Sequence, residues 1–177
     1  MKDWPLLTMI VWTLAVCGFT GAALVTDLRS RRIPNAVTVS AFALALAFHL
    51  WNSGWSGLGF AIAGFAVGFG VMLVLWLIGG GGGGDVKLMG AVGTWVGVVG
   101  TTFIFLGGVV VAILMTVGIL AIRALAPGRF GRRLGQPAQG QILPERARGR
   151  TLIPFAVPVC VATWGFVAVK FLTWSHG

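Results

Sequence analysis

Apolar runs of bilayer-spanning length, broken by a glycine run that ends in a carboxylate, restrict this chain more than anything else in it. The stretches from about Pro5 to Thr26, Ala36 to Trp51, Leu58 to Ile78, Leu88 to Ile122 and Thr151 to Trp174 are almost free of charge, and about 20 apolar residues suffice for one helical crossing of a membrane. Between the third and fourth runs stands Gly79-Gly80-Gly81-Gly82-Gly83-Gly84-Asp85-Val86-Lys87. Glycine admits backbone geometries closed to other residues, and an ionisable group at a membrane segment is retained for a function or a partner. Only Asp3, Asp27, Asp85 and Glu145 are acidic, so each needs a physical reason.

With 57% hydrophobic and 10% charged residues and a mean hydropathy of +0.94, residues 1–177 read as a single all-α membrane domain. The 35 or so residues from Leu88 to Ile122 exceed one span and divide best near Gly100-Thr101-Thr102, which gives a polytopic bundle of about six transmembrane helices. Gly64 and Gly68 stand in GxxxG spacing, and Gly90, Gly93, Gly97 and Gly100 leave one side of the next helix nearly bare, a pattern that lets helices pack closely. Pro34 disfavours helix at Ile33, and Asn35 is placed to cap the following helix. Pro154 and Pro158 fit the first turns of the last one or a kink in it. The N-terminal run is too long for a cleaved secretory signal.

The net charge of +9 does not mark a nucleic-acid binder, because the positive residues cluster between apolar runs, which is the pattern of a topology signal. Arg29, Arg31 and Arg32 lie in a loop over 26–35 with Asp27; Lys87 follows Asp85 in a loop over 79–87; seven arginines occupy 123–151. All three loops share one side in a six-span chain, the cytoplasmic side. Both termini and the uncharged loop from Trp51 to Gly57 then fall on the periplasmic side, where Trp4, Trp51, Trp55 and Trp174 form a belt. Lys170 snorkels from the last helix. Cys17 and Cys160 lie inside apolar runs without metal-binding spacing and read as small hydrophobes; no metal and no cofactor is implied.

That topology brings Asp27 and Asp85 to one membrane face and one depth. Two carboxylates so placed are what aspartic proteolysis requires: one, ionised, takes a proton from water while the other, protonated, polarises the scissile carbonyl. Taken by themselves, the residues leave two plainer roles open: Asp27 paired with Arg29, Arg31 or Arg32, and Asp85 as a helix N-cap. A small transporter or a non-enzymatic assembly scaffold is the rival class. His49 and His176 fall near the opposite face and are poor candidates for a general base.

Gly82-Gly83-Gly84-Asp85 resembles the G-x-G-D signature of the GxGD intramembrane aspartyl proteases. Gly84-Asp85-Val86-Lys87-Leu88, together with Asp27-x-Arg29-x-x-x-Ile33-Pro34-Asn35, is similar to the bacterial type IV prepilin peptidases. The likeness covers the first four segments, about half of the chain. It implies Asp27 and Asp85 as the catalytic pair and a multi-pass protein of the bacterial inner membrane. Its substrate is a prepilin or pseudopilin, which loses a short polar leader on the cytoplasmic side. Gly82, Gly84, Lys87, Asn35 and Pro34 are the supporting or substrate-binding candidates, the glycines by letting substrate backbone come close. Lys87 reads as an anchor or a group that tunes Asp85, and Asn35 as a cap or an orienting group. The four-cysteine insert and N-terminal extension of larger members are missing, so peptidase activity without N-methylation is expected, as in the compact enzymes of Flp-type pili and archaeal preflagellins.

Overall fold

The structure, a computed structural model, describes residues 4–30, 33–79, 82–125 and 156–175. All regular structure among them is helical: α1 (Leu6–Ser30), α2 (Asn35–Leu77), α3 (Gly83–Leu125) and α4 (Ala156–Ser175). Each is long and apolar enough to cross a membrane, and the chain is a multi-pass helical bundle. Its outward faces carry Leu14, Val39, Leu44, Phe103 and Leu114 uncovered, as suits contact with lipid. Arg31, Arg32, Gly80, Gly81, His176 and residues 126–155, which hold most of the arginine-rich segment and Pro154, lie outside the described residues.

Two of the four helices fold back on themselves. Gly54 interrupts α2 with φ 60° and ψ −142°, a backbone region open essentially to glycine alone. Phe42 and Phe65, which a straight helix would hold about 34 Å apart, bring their rings to 4.9 Å, and His49 and Phe60 approach to 5.2 Å. Gly97 interrupts α3 likewise, with φ 72° and ψ −179°. Met89 and Phe105, about 24 Å apart along a straight helix, line one small cavity with Val71. The four helices thus contain six helical segments. Two expected boundaries change. No loop spans Trp51 to Gly57, because one glycine suffices to reverse the chain and the flanking residues stay helical. The division of α3 falls at Gly97, not at Gly100 to Thr102, because Gly97 has the positive φ and the threonines bond within the helix, Thr101 Oγ1 donating to Gly97 O at 2.6 Å.

The glycine stripes meet each other. A Cβ on Gly64 would strike Gly93 O, one on Gly93 would strike Gly64 O, and one on Gly68 would strike Met89 O. The second arm of α2 and the first arm of α3 therefore run backbone against backbone, and antiparallel. Such an approach gives dispersion contacts that side chains would prevent, which is how helices associate where no hydrophobic force separates lipid from protein.

Reversal at Gly97 takes the N–H of residue 99 away from the carbonyl of Trp95, which is 3% exposed, and a bare buried carbonyl is costly in an apolar medium. Two side chains replace the lost donor. Trp12 Nε1 donates to Trp95 O at 3.0 Å, and His49 Nε2 lies 3.2 Å from the same oxygen, which can only accept. Trp95 Nε1 in turn donates to Ala41 O at 3.0 Å. His49 is thus a core histidine at the reversed end of the bundle, and this network knits α1 to the first arms of α2 and α3.

Replacing Gly64 or Gly93 by valine should lower the melting temperature of the detergent-solubilised protein, by the equivalent of about 1–3 kcal/mol of overpacking. Gly118→Ala, where a methyl would meet nothing within 4 Å, should leave it unchanged or raise it. Equal effects at all three positions would contradict the close backbone contact.

Candidate active site

Asp27 lies in the last full turn of α1, inside the helix and not in the loop expected for it, and is 9% exposed. Its Oδ2 accepts a hydrogen bond from the N–H of Ala156, the first residue of α4, at 3.3 Å. Arg29 follows in the same turn, where a cation complements the helix dipole.

Asp85 sits in the first turn of α3 and is half-buried. Gly82 opens that helix: its carbonyl accepts from Asp85 N at 3.0 Å and from Val86 N at 3.4 Å, while its own N–H donates to Asp85 Oδ2 at 3.0 Å. The carboxylate reaches back to the start of its helix as the acid of a capping box does, so Asp85 is not the N-cap itself. The two carboxylates fall within Coulombic reach of each other.

The remaining candidates build the seam between the starts of α2 and α3. Ile33 is buried, and its side chain lies 3.7 Å from where a Cβ on Gly84 would stand. Pro34, not Asn35, is the N-cap of α2, in extended conformation and without a side-chain bond, its carbonyl accepting from Val37 N at 3.1 Å. Asn35 is released from capping, and its Oδ1 accepts from Lys87 Nζ at 2.9 Å. Lys87 is two residues from Asp85 on a helix, so the two side chains leave opposite faces; the lysine ties α3 to α2 instead of contacting Asp85. Gly79, with φ 87°, ends α2, its N–H bonding to Trp76 O at 3.0 Å, as a left-handed terminating glycine does.

The Ala156 N–H and the buried Ile33 are the site features that the sequence reading missed. A backbone donor has no side-chain signature, and only the break in the chain at Pro154 and Pro158 hinted that a helix begins there. Among the described residues no three His, Cys, Asp or Glu side chains gather in a way that would hold a metal ion.

Both aspartates stand at the ends of their own helix segments, but one segment of the bundle extends further. Gly93 faces Thr101 across the α3 hairpin, and Met89 shares its cavity with Phe105, a register that sets Asp85 level with residue 109. The second arm of α3 runs on past it by about 24 Å, with Val110, Ile113, Leu114 and Val117 uncovered. One flank of the site is therefore an apolar wall.

A carboxylate pair recessed at one end of a helical membrane bundle, with the glycine turn before Asp85, is the arrangement against which the comparisons stand. The model of the type IV leader peptidase family matches residues 14–117, more than half of the chain, from within α1 to the second arm of α3 and across both aspartates. No curated protein matches the chain, and no solved structure does. On the family match, the chain belongs to the type IV leader peptidase family.

Proposed function

We propose that this family member is an aspartic endopeptidase that cuts the short leader from type IV, Flp-like prepilins or pseudopilins at the cytoplasmic face of the bacterial inner membrane, with Asp27 and Asp85 as its catalytic pair. The observation that carries the reading is that two carboxylates from different helices lie within Coulombic reach of each other, each held through Oδ2 by a backbone N–H. A water between them loses a proton to the ionised carboxylate as its oxygen attacks the scissile carbonyl carbon. The protonated partner gives its proton to the carbonyl oxygen, and a tetrahedral diol forms. Collapse returns a hydroxyl proton to one carboxylate while the leaving nitrogen takes a proton from the other, breaking the C–N bond. The pair ends with the single proton with which it began.

The six helical segments are taken as six crossings. The end with Asp27 and Asp85 then carries Arg29, Lys87 and the arginine-rich sequence over 123–151 on the cytoplasmic side. Both termini and the turns at Gly54 and Gly97 face the periplasm. A peptide bond within a helix is shielded by its own hydrogen bonds, whereas one at the polar edge of a membrane segment unwinds where the enzyme supplies polar partners. The apolar second arm of α3 offers the adjoining substrate helix a lipid-like flank. The transporter reading requires a polar route onward from the carboxylates. The residues packed beneath Asp85 are Leu88, Met89 and Val92, all buried, which weighs against it.

In cells or proteoliposomes supplied with a prepilin, Asp27→Asn and Asp85→Asn should each lower leader removal by about 10²–10⁴-fold or more, with the melting temperature retained. Full cleavage by either variant would sink the assignment. A methyl on Gly84 has ordinary room beside Ile33, whereas one on Gly82 would press on Asp85 Oδ2 at 3.2 Å. Gly84→Ala should therefore fold normally and lose cleavage only through obstructed substrate backbone, while Gly82→Ala should lower kcat by displacing the carboxylate; unimpaired cleavage in Gly82→Val and Gly84→Val would refute a role for these glycines. Mass spectrometry of the mature pilin should find a free, unmethylated N-terminus even when a methyl donor is supplied.

A further inference from the structure

Asp27 occupies a poor place for an acid. The last turn of a helix presents unbonded carbonyls and the negative end of the dipole, which disfavour a carboxylate, and burial adds to the cost. The compensation comes from α4, which starts beside it and turns the positive end of its own dipole and the Ala156 N–H toward Oδ2.

The register that brings Ala156 there is fixed deeper in the bundle. Cys160 Sγ donates to Thr20 O at 3.1 Å, and Trp164 Nε1 donates to Thr20 Oγ1 at 3.0 Å. Thr20 Oγ1 itself donates to Val16 O at 2.7 Å. Ala156, Cys160, Thr163 and Val167 form the buried face of α4, spaced as one side of a helix. Polar ties one and two turns along that face hold α4 against α1, and the end of the row meets Asp27. This helix lies beyond the segment that the family model matches.

We propose that the first turn of α4 is part of the site as a positioning element: the Ala156 N–H holds Asp27 Oδ2 and so sets how that carboxylate faces Asp85 and the attacking water. The proposal rests on the reading of Asp27 as catalytic. Without the bond, Asp27 is free to rotate away from the pair, and misplacement of a reacting group by about 1 Å is enough to cost 10²-fold in rate.

The donor can be removed without a charge or a long side chain. Proline at the first position of a helix keeps the helix and lacks only the N–H, so Ala156→Pro deletes the bond; an amide-to-ester substitution at residue 156 of the full chain deletes it with the methyl side chain intact. Ala156→Ser keeps the N–H. With purified enzyme and a prepilin substrate, the proline and ester variants should lose about 10- to 100-fold in kcat per folded enzyme, with KM unchanged and only the modest fall in melting temperature that one unmet buried acceptor brings, and the serine variant should turn over at the wild-type rate. A mere packing role would leave kcat per folded enzyme at the wild-type value and would not separate serine from the ester. An ester variant with wild-type kcat, or a serine variant as impaired as the ester, overturns the proposal. Cleavage by Asp27→Asn at the wild-type rate, by contrast, would remove the peptidase reading of Asp27 and this proposal with it.

Discussion

The contact between Gly64 and Gly93 is the one on which the rest of the bundle depends. With side chains absent from both, the second arm of α2 and the first arm of α3 approach until each backbone blocks the other's Cβ position. That contact sets the depth of α3, and the depth of α3 sets where its first turn, and therefore Asp85, emerges beside Ile33 and α2. A membrane offers little hydrophobic force for holding helices together, so close packing at small residues replaces it. The apolar wall past residue 109 follows from a second register, between the two arms of α3 at Gly93 and Thr101.

Close packing of this kind is possible only if α3 turns back at Gly97, and turning back exposes backbone groups that lipid cannot satisfy. Trp12 and His49 meet that requirement at Trp95 O. The bundle therefore separates its polar work into two ends. At the reversed end, hydrogen bonds close the breaks and the groups are consumed in structure. At the other end, two carboxylates are held by backbone N–H groups, and there the proposed chemistry is placed.

Much of this was legible in residue order. Apolar runs and glycine spacing implied a helical membrane bundle with close packing at Gly64, Gly68, Gly90 and Gly93, and Asp27 and Asp85 were readable as two acids on one side. Turns within Trp51 to Gly57 and near Gly100 were also expected; that each is made by a single glycine, and that the second is Gly97, was not legible, because a reversal needs only one glycine at positive φ, and Gly97 belongs to a stripe in which every member looks alike. Asn35 looked like a cap because its residue type favours that place, but Pro34 in extended conformation already ends the turn and frees Asn35 for Lys87. The bond from Ala156 to Asp27 spans 129 positions and uses a backbone donor, so no local pattern could reveal it. The recess of the aspartates relative to the second arm of α3 is likewise a matter of register between arms, which charge counting along the loops does not record.

The central claim is that Asp27 and Asp85 act as one catalytic unit. Its most direct test is the kcat/KM of leader cleavage for Asp27→Asn, Asp85→Asn and the double variant, each normalised to folded enzyme. Residues that work as a unit are strongly non-additive, so the double variant should lose no more than either single one. Losses that multiply, or a wild-type kcat/KM in either single variant, would contradict the account.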